Sequence, residues 1–248
     1  MLNIKNTKCL VKSDTNTGKV RKQNEDRAFV SKEEKFFAVI DGMGGLACGL
    51  ETAEYIANNI QKYIPNFDEI SSDEDACKML KNSICKLSDD VFNLGNKKSA
   101  VYYGATIVSM LMSRDCVTIA SLGDCRCYHI TDNTIQCVTE DHSVVGMLVQ
   151  SGKITEQEAL VHPSRNRVTQ YVGMSNPLPC VKSVKFKKGD TFVLCSDGLW
   201  SMVDKQTILE MVKNSNDNDD IAKDLVKCAN QNGGKDNITV IVVSILDM

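Results

Sequence analysis

The chain alternates between short, densely apolar stretches and longer stretches in which apolar residues recur every three or four positions. This helical spacing runs from Gly45 to about Ile64, where Pro65 ends it, and returns over about 73–93. One or two further helices are predicted at about 204–232. The apolar stretches have the length of strands. The predicted strands cover residues 26–31, 35–41, 104–113, 116–123, 125–130, 134–140, 168–173, 181–186, 191–197 and 237–246.

The order of these elements indicates the fold class. Strands come in blocks and helices in pairs, which favours antiparallel sheets with helices packed outside them. Arg114-Asp115 and Asp132-Asn133 are predicted hairpin turns. Residues 143–166 are polar and only partly helical, and neither a repeat nor a linker divides the chain. We therefore predict one α+β domain over residues 1–248.

Composition and charge narrow the class of protein. The 248 residues are 42% hydrophobic and 25% charged, and the formal net charge of −3 gives no reason to expect a nucleic-acid partner. The N-terminal residues lack the apolar segment of a signal peptide. The longest apolar run is shorter than the roughly 20 residues that span a bilayer. We expect a cytoplasmic protein that does not insert into a membrane.

The cysteines are numerous but show no regular spacing. There are 11 of them, an odd number, and most lie in apolar segments, which favours reduced thiols in the core over a disulfide framework. Cys125, Cys127 and His129 alternate, so they share one face of a strand. Packing of that strand is the ordinary explanation. A soft-metal site is the alternative, although no fourth ligand is visible.

Acidic residues stand at the ends of the predicted strands, beside glycine or another turn residue. In "FFAVIDGMGG" the apolar strand ends at Asp41, and "TFVLCSDGLW" repeats the pattern at Asp197. The other members of the set are Asp124 after Gly123, Asp236 after two glycines, and Glu25 and Asp26 at a strand start. A turn or helix cap explains any one of them. As a converging set they would repel one another unless divalent cations neutralised them, and an oxygen-only ligand set favours Mg²⁺ or Mn²⁺ over Zn²⁺.

A series of short motifs runs through almost the whole chain, from about residue 20 to 240. The motifs are R-x-x-x-E-D at Arg21, Glu25 and Asp26, DGMGG at 41–45, GATIV at 104–108, GD-x-R at Gly123, Asp124 and Arg126, T-x-DHS at 139–143, SDGLW at 196–200, and G-x-DN at Gly234, Asp236 and Asn237. This ordered set resembles the metal-dependent type-2C (PPM family) Ser/Thr protein phosphatases, in particular their compact bacterial-type branch. The resemblance implies a four-layer αββα sandwich of two antiparallel sheets flanked by helix pairs, with a flap over about 143–172.

The same resemblance implies a site for two core Mn²⁺ or Mg²⁺ ions. Asp41 would bridge the two ions. Asp197 and Asp236 would hold the first ion. Glu25 would hold the second, together with the carbonyl oxygen of Gly42.

The resemblance also assigns roles around those ions. Asp124 would bind a third ion, and Asp26 would orient metal-bound water. Arg21 would bind the substrate phosphate, because its planar fork of donors matches a tetrahedral anion. The flap would lie beside the active site.

The proton donor is the one part of the family pattern that this sequence leaves open. Some family members carry a histidine directly after the Asp-Gly, which protonates the leaving group, whereas Met43 occupies that position here. His162 in the flap is the candidate general acid, a water on the third ion is an alternative proton donor, and His142 is the other histidine near the motifs. A structural role is the ordinary interpretation of either side chain.

The function implied by the resemblance is hydrolysis of phosphoserine and phosphothreonine in proteins, by a water that bridges the ions and attacks phosphorus directly. Such a protein would act on phosphorylated proteins, reverse the action of a Ser/Thr kinase that is itself an expected partner, and work as a monomer. A haloacid-dehalogenase-like phosphatase would need an Asp where Met43 or Leu199 stands. The remaining alternative is a catalytically inactive, phosphatase-like binding module. Loss of a ligand would indicate such a module, but the whole acidic set is present.

Overall fold

The computed structural model describes residues 7–33, 35–43, 48–64, 70, 72–97, 103–113, 115–216 and 219–247. The strands are β1 Lys8–Asn16, β2 Asp26–Val30, β3 Phe36–Gly42, β4 Ala105–Met112, β5 Cys116–Leu122, β6 Arg126–Thr131, β7 Thr134–Cys137, β8 Cys180–Lys185, β9 Thr191–Cys195 and β10 Ile238–Asp247. The helices are α1 Gly49–Asn59, α2 Asp73–Lys97, α3 Val144–Gln150, α4 Glu156–Val161, α5 Asp197–Trp200, α6 Lys205–Asn214 and α7 Ile221–Gln231. A 3₁₀ turn, Ile60–Lys62, extends α1.

The strands form two antiparallel sheets that pack face to face. One sheet has the order β1-β10-β9-β6-β7, and the other has the order β2-β3-β4-β5-β8. Helices α1 and α2 cover the outer face of the second sheet, while α6 and α7 cover that of the first. The prediction of an α+β sandwich of two antiparallel sheets flanked by helix pairs is therefore confirmed.

Strand β3 shows why the central strands are apolar without interruption. Phe36, Ala38 and Ile40 pack against the helices, while Phe37 and Val39 point between the sheets. Because both faces of the strand are buried, no position is left for a polar side chain until Asp41 at its end. The same reasoning applies to β9, which is buried throughout and is followed by Ser196 and Asp197.

One predicted strand is wrong, one observed strand was not predicted, and some predicted positions lie outside the described residues. The predicted strand at 168–173 is wrong, because Val168 and Val172 make only single bridges, to Ser143 and Ala105. Strand β1 was not predicted, since its sequence is mixed and it lies at the edge of its sheet. The predicted helix start at Gly45, its predicted stop at Pro65 and the first residue of the predicted turn at 114–115 lie outside the described residues.

Residues 143–172 contain two short helices where the sequence predicted only one. Ser143 caps α3 by accepting a hydrogen bond from the Gly146 N–H. Thr155 and Glu158 form a reciprocal capping box at the start of α4. Within the described ranges, no helix combines the length and the hydrophobicity needed to cross a bilayer.

Candidate active site

The first pair of acidic residues comes from two neighbouring strands. Asp26 begins β2 and Asp41 lies near the end of β3, and the two are direct partners in the antiparallel register. Asp26 is almost completely buried, with 1% of its surface exposed, while Asp41 is partly exposed. Pairing of the strands therefore brings two carboxylates together at one end of the second sheet.

The other sheet contributes a second pair at the same end of the sandwich. Asp197 follows the last residues of β9, and Asp236 precedes the first residue of β10, its antiparallel neighbour. The Ser196 N–H donates to the carbonyl oxygen of Thr239, and the Thr239 N–H donates to the Ser196 hydroxyl, so the two strands are joined just before Asp197. Both aspartates are partly exposed.

Asp124 enters from a tight turn between β5 and β6. The preceding residue, Gly123, has φ +117°, and a Cβ there would collide with the side chain of Thr106. Only glycine fits this turn. Asp124 is 6% exposed, and the carboxylate of Asp141 lies near enough to raise its pKa.

Each member of the set shifts the pKa of others. We call Asp26, Asp41, Asp124, Asp197 and Asp236 the aspartate cluster. Burial, and then the negative charges of the other four members, hold the pKa of Asp41 well above its usual value. The pKa of Asp197 is likewise raised by burial and by its cluster neighbours. Burial raises the pKa of Asp26 to about 6 and that of Asp124 to about 7. Negative charges from both sheets therefore act on one another at this end of the sandwich.

Arg21 and Glu25 flank the cluster. Arg21 is half exposed and donates from Nη2 to Oδ2 of Asp236 at 2.7 Å, a bond that raises the pKa of the guanidinium. The Glu25 carboxylate packs against Gly49 so closely that a Cβ at that position would collide with it. Burial raises the pKa of Glu25, although the charge of Arg21 opposes the shift.

Two residues with a clear part in this arrangement had no role in the sequence interpretation. Ser196 donates from its hydroxyl to Oδ2 of Asp26 at 2.7 Å. Asn237 accepts from the Glu25 N–H at 2.8 Å and donates to the carbonyl oxygens of Thr17 and Gln23. The sequence signal was their place inside the SDGLW and G-x-DN motifs, directly beside an acidic residue.

The flap and helices α5 and α6 enclose a cleft of about 1020 Å³. Arg21, Asp197 and Asp236 line one part of it, and residues of α3, α4 and the start of α6 line the rest. His162 is not among the described lining residues. It caps the end of α4, and its Nδ1 accepts the Ser164 N–H at 3.1 Å.

His142 lies beside the cluster instead. Its Nδ1 accepts the N–H of Gly123 at 3.2 Å, and its own backbone N–H donates to the Gly123 carbonyl oxygen. Burial lowers the pKa of His142. The imidazole that keeps this hydrogen bond is neutral, with its proton on Nε2.

The alternating cysteines, Cys125 just before β6 and Cys127 within it, are part of the core. Cys125 and Cys127 are buried between the sheets, and the Sγ of Cys125 lies 3.1 Å from the Thr106 hydroxyl. His129 pairs with Asp190 at 2.9 Å and stacks on Phe192. These contacts account for the three side chains without a soft metal.

The comparison with protein families decides the identity of the fold. The family model "Protein phosphatase 2C" matches residues 7–146 and 161–238. The chain belongs to the protein phosphatase 2C family. The predictions of this family and of a serine/threonine phosphatase enzyme are confirmed.

Individual PP2C relatives cover nearly the whole chain. The serine/threonine phosphatase stp of Listeria welshimeri is 30% identical over 234 residues, which are 92% of this chain and 93% of that protein. The crystal structure of the serine/threonine phosphatase Stp1 from Staphylococcus aureus superposes with a TM-score of 0.88 at 28% identity, covering 96% of both chains. The catalytic domain of the phosphatase PstP, solved in complex with two manganese ions, has a TM-score of 0.84 at 25% identity and covers 98% of this chain and all of that one.

The PP2C match has one gap, at residues 147–160. These residues are most of α3, the turn that follows it and all of α4 except its last residue. Arg21 and the acidic set lie within the matched ranges, whereas the middle of the flap does not follow the family model.

The donor set fits the divalent ions that PP2C proteins use. Oδ1 of Asp26 is buried with no partner at hydrogen-bonding geometry, although Thr239 and Asp41 lie nearby. In the described part of the chain, no three acidic, histidine or cysteine side chains are close enough to enclose an ion on their own. Carboxylate and carbonyl oxygens are the ligands that Mg²⁺ and Mn²⁺ take in proteins, so the chemistry of the donors agrees with such ions.

Proposed function

We propose that the chain hydrolyses phosphoserine and phosphothreonine in proteins, with two Mn²⁺ or Mg²⁺ ions bound in the aspartate cluster. The observation that carries the proposal is the meeting of strand-end carboxylates from both sheets beside a cleft, with Asp41 opposite Asp26 in the strand register and with Asp197 and Asp236 lining the cleft. Uncompensated carboxylates are costly in such a place, and cations offset that cost. When bound, the ions would neutralise charge on the phosphate dianion and lower the pKa of water, so that water attacks phosphorus directly.

The proposed ligands keep the roles that the family resemblance implies. Asp41 would contact both core ions. Asp197 and Asp236 would hold one of them, and Glu25 would hold the other with the Gly42 carbonyl oxygen. These groups come from the ends of both sheets, so the site depends on the sandwich being closed at this end.

Three further residues would complete the site. Asp124 would bind a third ion, and its substitution by Ala would impair phosphopeptide hydrolysis while leaving two ions bound. Asp26 would orient the attacking water. Arg21 lines the cleft, and in the described structure only its Nη2 is engaged, by Asp236. Its remaining donors therefore suit a phosphate.

No protein nucleophile is part of this proposal. Cys125 and Cys195 are buried, and burial raises the pKa of both thiols far above the usual range. A thiol held in its neutral form is a poor nucleophile.

The test is Mn²⁺-dependent hydrolysis of p-nitrophenyl phosphate and of a phosphoserine peptide by the parent protein and by Asp41→Asn. We expect kcat of the variant to fall by about a hundredfold or more, because the shared ligand loses its charge. Asp132→Asn, at an exposed turn, is the control and should be unchanged. Near-normal turnover by Asp41→Asn would contradict the bridging role. No hydrolysis by the parent would instead favour an inactive binding module.

We also propose that the flap, residues 143–172, selects the substrate. Its two helices form one wall of the cleft, and its middle departs from the family model. Surface segments of this kind commonly carry specificity while the rigid sheets hold the chemistry. Replacing residues 146–165 by those of a relative should change the ranking of phosphopeptides while leaving p-nitrophenyl phosphate turnover within about tenfold.

The proposal extends to the cell. We propose a monomeric, cytoplasmic enzyme, with residues 1–248 as one catalytic domain, that reverses a Ser/Thr kinase. Its described cysteines are all free thiols, which agrees with a reducing compartment. A phosphoproteome compared with and without the protein would identify the substrates, and light scattering would measure the oligomeric state.

A further inference from the structure

Two motifs of the sequence meet in one buried ion pair beside the aspartate cluster. Arg126, from the GD-x-R motif, donates from Nε to Oδ1 of Asp141 at 3.0 Å and from Nη2 to Oδ2 at 2.7 Å. The two side chains are only 21% and 10% exposed. Two parallel charge-assisted hydrogen bonds fix the plane of a guanidinium group, which a lysine ammonium cannot reproduce.

A third motif lies against the flat face of the same guanidinium group. The carbon Cζ of Arg126 is 3.8 Å from the centroid of the Trp200 ring. The indole Nε1–H of Trp200 donates to the carbonyl oxygen of Asp124 at 2.9 Å. Trp200 is also the last residue of α5, the helix that begins at Asp197. The indole ring therefore joins Arg126 to the backbone of one cluster member.

Asp141, the partner of Arg126, is also connected to the turn that contains Gly123 and Asp124. His142, which follows Asp141, exchanges two hydrogen bonds with Gly123, the residue before Asp124. The turn that presents Asp124 is thus held on one side by the Asp141–His142 segment and on the other by Trp200. Arg126 contacts both.

We infer that Arg126 is a positioning residue for Asp124, acting through Asp141 and the ring of Trp200. The inference rests on the proposed function, because it treats Asp124 as a metal ligand. Arg126 lines the cleft, but its remaining described hydrogen bond, from Nη1, goes to the Tyr128 hydroxyl at 3.2 Å. Its donors are directed at protein groups, in contrast to those of Arg21.

Two conservative variants test this role. Arg126→Lys keeps the positive charge but loses the two parallel hydrogen bonds to Asp141. Trp200→Phe keeps an aromatic ring against Arg126 but loses the hydrogen bond to the Asp124 carbonyl oxygen. We expect each to weaken Mn²⁺ binding at the weakest site, measured by calorimetry, by about tenfold, the usual effect of removing a residue that orients a ligand. The Mn²⁺ concentration for half-maximal kcat should rise in parallel, and excess Mn²⁺ should restore kcat. KM for a phosphopeptide should stay within about threefold.

Trp200 supplies a second readout, because it is the single tryptophan of the chain. Quenching of its emission by Mn²⁺ should reach its midpoint at a higher concentration in Arg126→Lys, by the same factor that calorimetry gives. Lys187→Gln is the matched control, since it breaks a 2.8 Å ion pair with Asp132 on the β6–β7 turn. It should change neither measurement.

A double-mutant cycle distinguishes positioning from a general structural effect. In an Asp124→Ala background, Arg126→Lys should have no further effect on Mn²⁺ binding. An equal loss in both backgrounds would overturn the inference. So would a raised KM with unchanged Mn²⁺ binding, which would make Arg126 a substrate contact. A parent protein that binds no Mn²⁺ would overturn the proposed function, and this inference with it.

Discussion

Ser196 donates a hydrogen bond from its hydroxyl to Oδ2 of Asp26 at 2.7 Å, although 170 residues separate the two in sequence. Asp26 begins a strand of one sheet, and Ser196 follows a strand of the other. The bond therefore joins the two sheets at the end where the cluster lies. It lowers the pKa of Asp26 against the larger opposing effect of burial, and the pKa stays at about 6.

We predict that Ser196→Ala raises the pKa of Asp26 and destabilises the protein. The acidic limb of the kcat profile against pH should move to higher pH, because Asp26 loses a hydrogen bond that favours its charged form. The free energy of unfolding should fall by about 1–3 kcal/mol, since Oδ2 of Asp26 is left buried without this donor and the Thr239 N–H without its acceptor. Urea denaturation and the pH profile measure the two effects.

Ser121→Ala is the matched control for that prediction. Ser121 is 1% exposed, and its hydroxyl has no hydrogen-bond partner in the described structure. Removing this hydroxyl leaves no partner unsatisfied, so the free energy of unfolding and the pH profile of kcat should not change. Equal losses of stability from the two substitutions, with no change in the pH profile of Ser196→Ala, would contradict the assigned role of the bond.

Metal binding should stabilise the protein more at high pH than at low pH. Asp26 and Asp124 titrate near 3.8 when unperturbed, and the fold raises their pKa values to about 6 and about 7. Between these limits the folded state holds more protons than the unfolded state. The free energy of unfolding of the metal-free protein should therefore decrease as pH rises through that window. Cations bind the deprotonated groups, so the increase in Tm on adding Mn²⁺ should be larger at about pH 8 than at about pH 5.

The contribution of one group can be isolated by comparison with Asp124→Asn. His142 acts in the opposite direction, because burial lowers its pKa from 6.5 and its stabilising effect is lost as pH falls below that value. Because both proteins contain His142, subtracting the free energy of unfolding of Asp124→Asn from that of the parent at each pH cancels the contribution of His142. Metal-free Asp124→Asn should be more stable than the parent at about pH 8, where the parent carries an uncompensated charge. A less stable variant at that pH would contradict the prediction.

The parts of the site that could be predicted from sequence are those with local signals. An apolar run that ends in Asp-Gly identifies the end of a buried strand, and this pattern alone locates Asp41 and Asp197. The strands themselves are predictable for the same reason, since burial on both faces leaves a continuous apolar run. Strand β1 has a mixed sequence because it pairs on one side only, with β10.

The parts that could not be predicted are long-range pairings between polar side chains. Nothing in the sequence near Asp26 indicates Ser196 as its partner. The paired hydrogen bonds from Arg126 to Asp141 join residues 15 positions apart. They depend on how β6 is placed relative to the segment just before the flap. The flap helix α3 was missed because it has only seven residues, too few for a clear helical repeat.

One exposed ion pair should control how the flap admits polypeptides. Lys205, the first residue of α6, contacts both carboxylate oxygens of Glu156, the first residue of α4, at 2.9 and 3.0 Å. Both residues line the cleft, so the pair bridges its two walls. We predict that Lys205→Glu raises KM for phosphopeptides by up to about fivefold, the equivalent of about 1 kcal/mol for an exposed pair. Turnover of p-nitrophenyl phosphate should be unchanged, because this small substrate needs only the cluster.

The charge-swapped double variant is the control for the pair. Glu156→Lys combined with Lys205→Glu restores opposite charges and should restore KM, whereas each single variant should not. The effect of the single variants should also diminish at high salt, since exposed charges are screened. If the double variant behaves as the sum of the singles, the ion pair does not hold the flap.

The last prediction concerns which histidine affects catalysis. His162 bonds to its own loop through Ser164 and does not line the cleft among the described residues, whereas His142 bonds to Gly123, next to Asp124. We therefore predict that His162→Ala keeps kcat for a phosphoserine peptide within about threefold of the parent, well below the hundredfold or more that loss of a general acid costs.

His142 should instead affect catalysis through the Gly123 turn. His142→Ala should lower kcat for the phosphoserine peptide and for p-nitrophenyl phosphate alike, because the turn that presents Asp124 loses an acceptor for the Gly123 N–H. His142→Asn places an amide oxygen where that acceptor was and should recover part of the activity. A proton donor would give a different result: p-nitrophenolate leaves without a proton, so only phosphoserine turnover would fall, and Asn would not rescue it. Such a selective loss in His162→Ala would make His162 the general acid and would mean that the flap contributes to catalysis as well as to substrate choice.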